Sequence, residues 1–211
     1  MASEENRPLL LASRSPRRAA LLRAAGLRFV AVEPRVRERT RPFPGVGGVR
    51  RMAMVNAAAK ANAAAPEGSG RWTLGADTVV VLGRQLFGKP RRLADAARML
   101  TRLQGRTHRV ITAVCLLGPR RRACRFSVTS RVTFRRMDKA AIADYLRRVH
   151  VLDKAGAYAA QADARLILRR IEGSWSNVVG LPMEHLRRKL RALGLPAGRT
   201  VKRLAFSRAS S

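Results

Sequence analysis

The sequence predicts an α/β fold with a mixed sheet, and three observations support this class. Apolar segments of strand length alternate with longer segments in which apolar residues recur at helical spacing, an order typical of parallel strands joined by helices. Two apolar segments flank Gly118-Pro119 without a helix between them, which predicts an antiparallel pair. No low-complexity linker divides the 211 residues, and 46% of them are hydrophobic, so the chain can bury the core of one domain.

The first half of the chain opens with a strand that leads directly into a helix. Ser15 is a favourable N-cap, Pro16 suits the first helical position, and Gly26 ends the helix. The predicted elements of this half are a strand at 9–12, a helix from 16 to 25, a strand at 29–32, a loop over 33–48, a helix over 49–65 that Pro66 and Gly68 close, and a strand at 72–82.

The second half begins with a helix and a pair of strands. Asp138 is the predicted N-cap of the next helix, and Gly194 with Pro196 ends the last one. The predicted elements are a helix over 93–103, strands at 110–117 and 124–134, a helix from 138 to 149, a strand at 164–171 and a helix over 182–193. We expect a flexible N-terminus at 1–7, a folded domain over 8–195, and a basic, disordered tail at 196–211.

The cellular environment is predicted from what the sequence lacks. It contains no run of eighteen uncharged apolar residues, so we expect no membrane-spanning helix. Charged residues near the start, such as Glu4 and Arg7, argue against a secretory signal. The two cysteines do not form a Cys-x-x-Cys motif, which favours the reducing cytoplasm.

The charge is extreme, with 44 Lys and Arg residues against 13 Asp and Glu residues, a net charge of +31. Such an excess invites a nucleic-acid or anionic-membrane partner. The arginines are, however, scattered through every predicted element, so a general replacement of surface residues by arginine is the alternative to a specific polyanion-binding face. In either case we expect non-specific binding of polyanions at low salt.

The segment Ser13-Arg14-Ser15-Pro16-Arg17-Arg18 carries a strand into a helix N-terminus. Free backbone N–H groups, hydroxyls and guanidinium groups in such a turn can bind a triphosphate. The alternative is an ordinary helix cap with exposed arginines.

A carboxylate in the most hydrophobic strand is the second candidate. Asp77 is costly to bury without a metal, a lysine or hydroxyl partners, and it can bind a divalent cation or take a proton from water. An aspartate bonded to backbone is the alternative. Lys89, in a turn soon after that strand, can neutralise phosphate, and Gln161 can bond a base edge or a phosphate, although both also suit solvated turns and loop packing.

Six motifs in order resemble the Maf family of nucleoside triphosphate pyrophosphatases over roughly residues 8–195. They are Leu-Ala-Ser-Arg-Ser-Pro-Arg-Arg at 11–18, Gly-Ala-Asp-Thr-Val-Val at 75–80, Gly-Lys-Pro at 88–90, Gly-Arg-Thr-His at 105–108, Asp-Lys-Ala-Gly-Ala-Tyr-Ala-Ala-Gln at 153–161 and Gly-Ser-Trp-Ser-Asn-Val-Val-Gly-Leu-Pro at 173–182.

The resemblance implies a Maf/Ham1-like (ITPase-like) α/β fold, with two lobes around a central cleft. It implies an enzyme that hydrolyses nucleoside triphosphates to the monophosphate and pyrophosphate with a divalent cation, Mg²⁺ or Mn²⁺. The Ser-Pro-Arg-Arg and Ser-Trp-Ser-Asn motifs are similar to the branch that acts on dTTP and UTP, with modified pyrimidine nucleotides as further substrates. Housecleaning of the nucleotide pool in the cytoplasm, and a homodimer, are further expectations.

The resemblance also implies roles for single residues. Asp77 matches the general base that activates water, and the resemblance implies that Lys89 is a further catalytic residue. Glu38 matches an acidic loop residue near the metal, which Asp77 would share. The phosphate-contacting and specificity positions are matched by Ser13, Arg17, Arg18, Thr78 and Gln161.

Two departures from the family pattern concern charge. Arg37-Glu38 stands where the family has an acidic pair, and Asn56 stands where it has a lysine near the phosphates. Lys60, one helical turn later, is a partial replacement about 6 Å along the axis. Loss of one charge at a developing phosphate anion can cost about 3 kcal/mol. The alternative function is therefore a catalytically weakened nucleotide- or nucleic-acid-binding protein on the same fold.

Overall fold

The computed structural model describes residues 7–65, 70–119, 122–161 and 163–201, and it confirms the α/β class and the mixed sheet. In chain order the elements are β1 (Leu9–Ala12), α1 (Pro16–Ala24), β2 (Phe29–Val32), α2 (Gly48–Ala64), β3 (Thr73–Leu82), β4 (Gln85–Phe87), α3 (Leu93–Leu103), β5 (Thr107–Leu117), β6 (Ala123–Phe134), α4 (Lys139–Arg148), a 3-10 helix (Ala155–Ala157), α5 (Ala164–Ile167), β7 (Leu168–Glu172), α6 (Trp175–Val179) and α7 (Met183–Ala192).

The strands form one sheet in the order β2-β1-β3-β5-β6-β7, and β4 pairs with β3. β1 is parallel to both of its neighbours, with Leu10 opposite Val30 of β2 and Thr73 of β3. β4 and β7 pair antiparallel with β3 and β6. The parallel pairs are joined by α1 and α2, as the alternation of strands and helices predicts.

One predicted element is partly wrong, and three short ones were not predicted. The strand expected at 164–171 is a helical turn, α5, followed by β7, because a short apolar run fits one turn of helix as well as a strand. The turn starts at Asp163, whose left-handed backbone (φ 44°) and carbonyl bond to Leu166 N redirect the chain. β4, α6 and the 3-10 helix span three to five residues, too few for periodicity to reveal.

The chain divides into two compact units, and each has its own buried side chains. Within the described residues, unit 1 comprises residues 7–65, 70–77, 112–119, 122–128 and 180–201, and its core includes Leu11, Leu21, Leu22 and Leu74. Unit 2 comprises residues 78–111, 129–161 and 163–179, and its core includes Leu100, Phe134, Tyr145 and Ile167.

The start of the segment predicted as a tail is fastened to unit 1. Arg199 N donates to Ala25 O (2.8 Å) at the end of α1, and Arg187 Nη1 donates to Thr200 Oγ1 (2.7 Å). Residues 196–201 are thus hydrogen-bonded to the unit, whereas 202–211 lie outside the described residues, as do residues 1–6 and the predicted helix stop at Pro66 and Gly68. Among the helices that the structure describes, none is long and apolar enough to cross a membrane.

Candidate active site

Asp77 lies in β3 with only 6% of its surface exposed, and its two carboxylate oxygens have different partners. Lys60 Nζ donates to Oδ1 at 2.8 Å, and Asn56 Nδ2 donates to Oδ2 at 3.2 Å. Lys60 is itself 7% exposed, so this is a buried ion pair. Both partners come from the same face of α2, since they are four residues apart.

The close approach of α2 to β3 depends on a glycine. A Cβ at Gly75 would lie 2.2 Å from Ala57 O and 2.7 Å from Ala61 N, distances that real Cβ atoms do not show. The absence of a side chain therefore lets the helix backbone approach β3 two residues before Asp77. This approach puts the end of a lysine and the short amide of Asn56 within reach of one carboxylate.

Asn56 uses its whole amide group. Its Oδ1 accepts from Arg39 N (2.8 Å), and its Nδ2 donates to Arg39 O (3.0 Å) in addition to Asp77. Asn56 thus ties the loop between β2 and α2 to β3. The Arg39 guanidinium also lies 4.1 Å from the centre of the Phe43 ring, which further orders that loop.

The same loop brings a second carboxylate to Lys60. Glu38 Oε2 lies 2.9 Å from Lys60 Nζ, and the Glu38 side chain is 44% exposed. Arg37, the charge-reversed neighbour, is exposed. In the described ranges no group of three or more His, Cys, Asp or Glu side chains could hold a metal ion. Two carboxylates in contact with one cation nevertheless fit Mg²⁺, which is commonly held by one or two carboxylates together with substrate phosphates and water.

Arg18 is the other buried cation of unit 1, with 8% of its surface exposed. Its Nε donates to Gly180 O (2.8 Å) and its Nη1 to Ser13 Oγ (3.1 Å). Burial holds the pKa of Arg18 below its usual value. The charges of Asp77 and Glu38 raise this pKa, and the charge of Arg17 lowers it. Arg18 therefore lies in the field of both carboxylates, and Ser13 orients it.

The hydrogen bond at the N-terminus of α1 differs from the predicted cap, because Ser13 and not Ser15 provides the side-chain acceptor. Ser15 occupies the N-cap position, but its side chain makes no capping bond. Instead, Ser13 Oγ accepts from Ser15 N at 3.1 Å. Arg17 is half-buried in the first turn, where Pro16 contributes no N–H group. The segment is thus a strand-to-helix turn in which one hydroxyl and one guanidinium are fixed.

The remaining predicted residues, Thr78, Lys89 and Gln161, belong to unit 2. Thr78 is half-buried in β3, and Lys89 is exposed in the turn after β4. Gly156 N donates to Gly88 O (3.0 Å), which fixes that turn. Lys89 lines a cavity of about 480 Å³ together with one carboxylate and three arginines, namely Asp95, Arg91, Arg98 and Arg102.

Gln161 carries a buried polar atom that has no partner. Its Oε1 is inaccessible to solvent and accepts no hydrogen bond from the described residues. A buried acceptor without a donor is energetically costly. The orphaned oxygen is the structural feature that the loop-packing alternative for Gln161 does not explain.

Side chains of the motif at 173–182 form hydrogen bonds within the motif and to neighbouring strands. Ser174 Oγ accepts from Asn177 N (3.1 Å) and caps α6. Asn177 Nδ2 donates to Val110 O and to Ser130 Oγ, at 3.1 and 3.0 Å. Trp175 Nε1 donates to Ala160 O (3.3 Å), next to Gln161, so this turn supports the segment that holds that glutamine.

Sequence reasoning placed Lys60 on the correct helix face but did not predict its two carboxylate partners. The axial offset of about 6 Å argued against Lys60 as a replacement for the lysine of the family pattern. A lysine side chain, however, has four methylene groups and spans that distance. The signal available in the sequence was the i, i+4 spacing of Asn56 and Lys60 opposite a strand that contains a glycine and an aspartate.

The comparisons with known proteins agree with these motifs. Residues 8–193 match the family described as Maf, Maf-like protein. The dTTP/UTP pyrophosphatase of Citrifermentans bemidjiense is 41% identical over 194 residues, which are 90% of this chain and 97% of the relative. That of Myxococcus xanthus is 42% identical over 188 residues, 89% of this chain and 93% of the relative. Among solved structures, the Staphylococcus aureus Ham1 protein aligns with a TM-score of 0.44 and 15% identity, over 61% of this chain and 72% of that one. The chain therefore belongs to the Maf family.

Proposed function

We propose that this protein is a nucleoside triphosphate pyrophosphatase that hydrolyses dTTP and UTP to the monophosphate and pyrophosphate. The names of its relatives support this substrate class, because the alignments span nearly the whole of both chains. The observation that carries the chemistry is in unit 1, where the carboxylates of Asp77 and Glu38 contact one buried ammonium. Housecleaning of the nucleotide pool, including modified pyrimidine nucleotides, is the role proposed for it.

Asp77 is the proposed general base. A water oxygen attacks the α-phosphorus, its proton passes to a carboxylate oxygen of Asp77, and the bond from the α-phosphorus to the bridging oxygen breaks, so that pyrophosphate leaves. A carboxylate suits this step because it is held by Lys60 and Asn56 in one orientation. Proton transfer to a positioned base contributes about 10²- to 10⁴-fold to such reactions.

Glu38 and Asp77 would hold the divalent cation, Mg²⁺ or Mn²⁺. When bound, such a cation supplies positive charge to the phosphate oxygens and lowers the pKa of a coordinated water. Glu38 is suited to this because its side chain is partly exposed at 44%, whereas Asp77 is nearly buried. Both of these carboxylates contact Lys60 Nζ in this structure.

The polyphosphate and the base have separate proposed contacts. Ser13, Arg17, Arg18 and Lys89 would bind phosphate oxygens, since three of them are cations and the hydroxyl of Ser13 orients Arg18. Thr78 and Gln161 would read the base. The orphaned Gln161 Oε1 is an acceptor, and the N3–H of thymine and uracil is a donor that cytosine lacks.

The test is pyrophosphate release from dTTP, UTP, CTP and dATP with Mg²⁺ or Mn²⁺. We expect release from dTTP and UTP, and a loss of about 10²- to 10⁴-fold in kcat in Asp77→Asn. The matched control is Asp144→Asn, which removes a surface carboxylate that is paired with Arg147 and Arg148 and should keep full activity. Undiminished turnover in Asp77→Asn would remove Asp77 from this role.

The alternative is a binding protein on the same fold, because Asn56 places an amide where the family pattern has a charge. It predicts that UTP binds without pyrophosphate release and that Asn56→Lys starts turnover. Absence of release from the unmodified protein under both metals, with binding retained in calorimetry, would favour this alternative.

A further inference from the structure

Lys60 has no hydrogen atom left for a substrate. An ammonium group has three donors, and three acceptors surround Lys60 Nζ: Asp77 Oδ1 at 2.8 Å, Glu38 Oε2 at 2.9 Å and Ala76 O at 3.4 Å. Its ammonium also contacts the same two carboxylates that would bind a divalent cation. Lys60 and that cation therefore compete for the same two carboxylates.

The charges of Asp77, Glu38, Lys60 and Arg18 sum to zero without any ligand. Asp77 and Glu38 contribute two negative charges, and Lys60 and Arg18 contribute two positive charges, with Arg18 in the field of both carboxylates. A divalent cation alone would leave this largely buried cluster with two excess positive charges, which a low-dielectric site opposes. A cation that arrives with a triphosphate, whose charge is about −4, does not create that excess.

The Lys60 ammonium can move away from Asp77 and Glu38 without disordering Asp77. The Asn56 amide holds Asp77 Oδ2 independently, so Asp77 keeps its orientation without the lysine. The Glu38 side chain is 44% exposed whereas that of Lys60 is 9% exposed, so Glu38 is the more solvent-accessible member of this ion pair. A flexible four-carbon stem lets an ammonium move between neighbouring acceptors.

We propose that Lys60 occupies the place of the divalent cation between Glu38 and Asp77 until a nucleoside triphosphate binds, and then transfers its ammonium to the polyphosphate. Free protein consequently binds the metal weakly, and nucleotide and metal bind together. The choice of a triphosphate as the ligand rests on the proposed function, whereas the competition between Lys60 and the metal does not.

The first experiment titrates nucleotide-free protein with Mn²⁺ and follows free Mn²⁺ by electron paramagnetic resonance. We expect weak binding in the unmodified protein and binding at least about tenfold tighter in Lys60→Met, because the competing charge is gone. Lys60→Arg keeps the charge and should bind as weakly as the unmodified protein. Lys139→Met, which removes an exposed lysine at the start of α4, controls for the change in net charge.

The second experiment measures binding of the non-hydrolysable analogue α,β-methylene-UTP by calorimetry in the presence of saturating Mg²⁺, because the proposal has the nucleotide and the metal bind together. We expect Lys60→Met to bind it at least about tenfold more weakly than the unmodified protein, because the transferred ammonium is missing. Lys139→Met should bind it unchanged.

Equal Mn²⁺ affinity in the unmodified protein and Lys60→Met, or unchanged analogue binding, would overturn the proposal. Should Lys60→Met fail to fold by circular dichroism, Lys60→Gln removes the same charge with hydrogen-bonding capacity retained, and the same criteria apply. If Lys60→Met binds Mn²⁺ more tightly than the unmodified protein, but the unmodified protein releases no pyrophosphate, only the proposed function is refuted. Pyrophosphate release without a change in Mn²⁺ affinity would refute the role of Lys60 only.

Discussion

Asn56 Nδ2 lies 3.2 Å from Asp77 Oδ2 and 3.0 Å from Arg39 O, so one buried amide joins the candidate base to the loop that carries Glu38. The charge on Asp77 is met by Lys60, one helical turn further along α2, at 2.8 Å. Two residues thus share the roles of the lysine in the family pattern. Asn56 forms the hydrogen bonds that position Asp77, and Lys60 supplies the positive charge.

This division predicts that a lysine introduced at position 56 can replace the charge of Lys60. Lys60→Met should lower kcat for pyrophosphate release from UTP about hundredfold, because a charge at the reacting phosphates is lost. Adding Asn56→Lys to Lys60→Met should recover most of the loss, to within about tenfold of the unmodified enzyme, because one ammonium again faces Asp77. A double variant no more active than Lys60→Met would mean that the position of Lys60 matters, and not only its charge.

The Asn56 amide is also predicted to stabilise the fold. Asn56→Ala leaves Arg39 N and O without partners at a part-buried site, and we expect the free energy of unfolding to fall by about 1–3 kcal/mol. Urea denaturation at neutral pH measures it. Asn62→Ala is the matched control on the same helix, because the Asn62 side chain is exposed and donates to Ala58 O of its own helix, and its change should stay within about 0.5 kcal/mol.

Gly75 is predicted to be intolerant of a side chain. Gly75→Ala drives a methyl group into backbone atoms of Ala57 and Ala61, so α2 must shift or strain, at a cost of about 1–3 kcal/mol. The shift would also carry Lys60 away from Asp77, so activity should fall with stability. Gly88→Ala is the control, since a Cβ there meets nothing within 4 Å. Equal melting temperatures of the two variants would contradict the close packing of α2 on β3.

The long elements could be predicted from the sequence, because strand and helix periods are local signals, and with them the placement of Asp77 in a strand, Arg18 in a helix and Glu38 in a loop. It did not reveal that three acceptors occupy Lys60 Nζ, because these come from a loop and a strand that only the tertiary fold brings to α2. The orphaned Gln161 Oε1 is likewise a property of burial, which no spacing predicts.

A buried histidine in unit 2 is predicted to make stability depend on pH. His108 is 1% exposed, its Nε2 lies 2.9 Å from Tyr158 Oη, and burial lowers its pKa from 6.5 to about 4. The unfolded chain therefore binds more protons than the folded one between pH 6.5 and 4. The contribution of His108 to the free energy of unfolding is therefore fully present above pH 6.5. It is lost as the pH drops through that window, by about 3 kcal/mol in total.

Urea denaturation at pH 7.5 and pH 5 measures this dependence. His108→Gln should lose a large part of it, while some slope remains because burial also lowers the pKa of His185. The exposed His150 provides the control, and His150→Gln should retain the full dependence. An unchanged slope in His108→Gln would show that other groups cause it.

The net charge of +31 predicts a strong but unspecific attraction for polyanions. The six lysines and 38 arginines are spread over all parts of the sequence, so the logarithm of the affinity for an oligonucleotide should fall linearly with the logarithm of the salt concentration. Duplexes of equal length and different sequence should bind within about tenfold of one another, since no base readout is involved. Fluorescence anisotropy over a series of KCl concentrations measures both, with Asp77→Asn as a control that leaves the slope unchanged. A preference for one sequence far above tenfold, or affinity that persists at high salt, would instead indicate a specific polyanion-binding face, the alternative that composition alone left open.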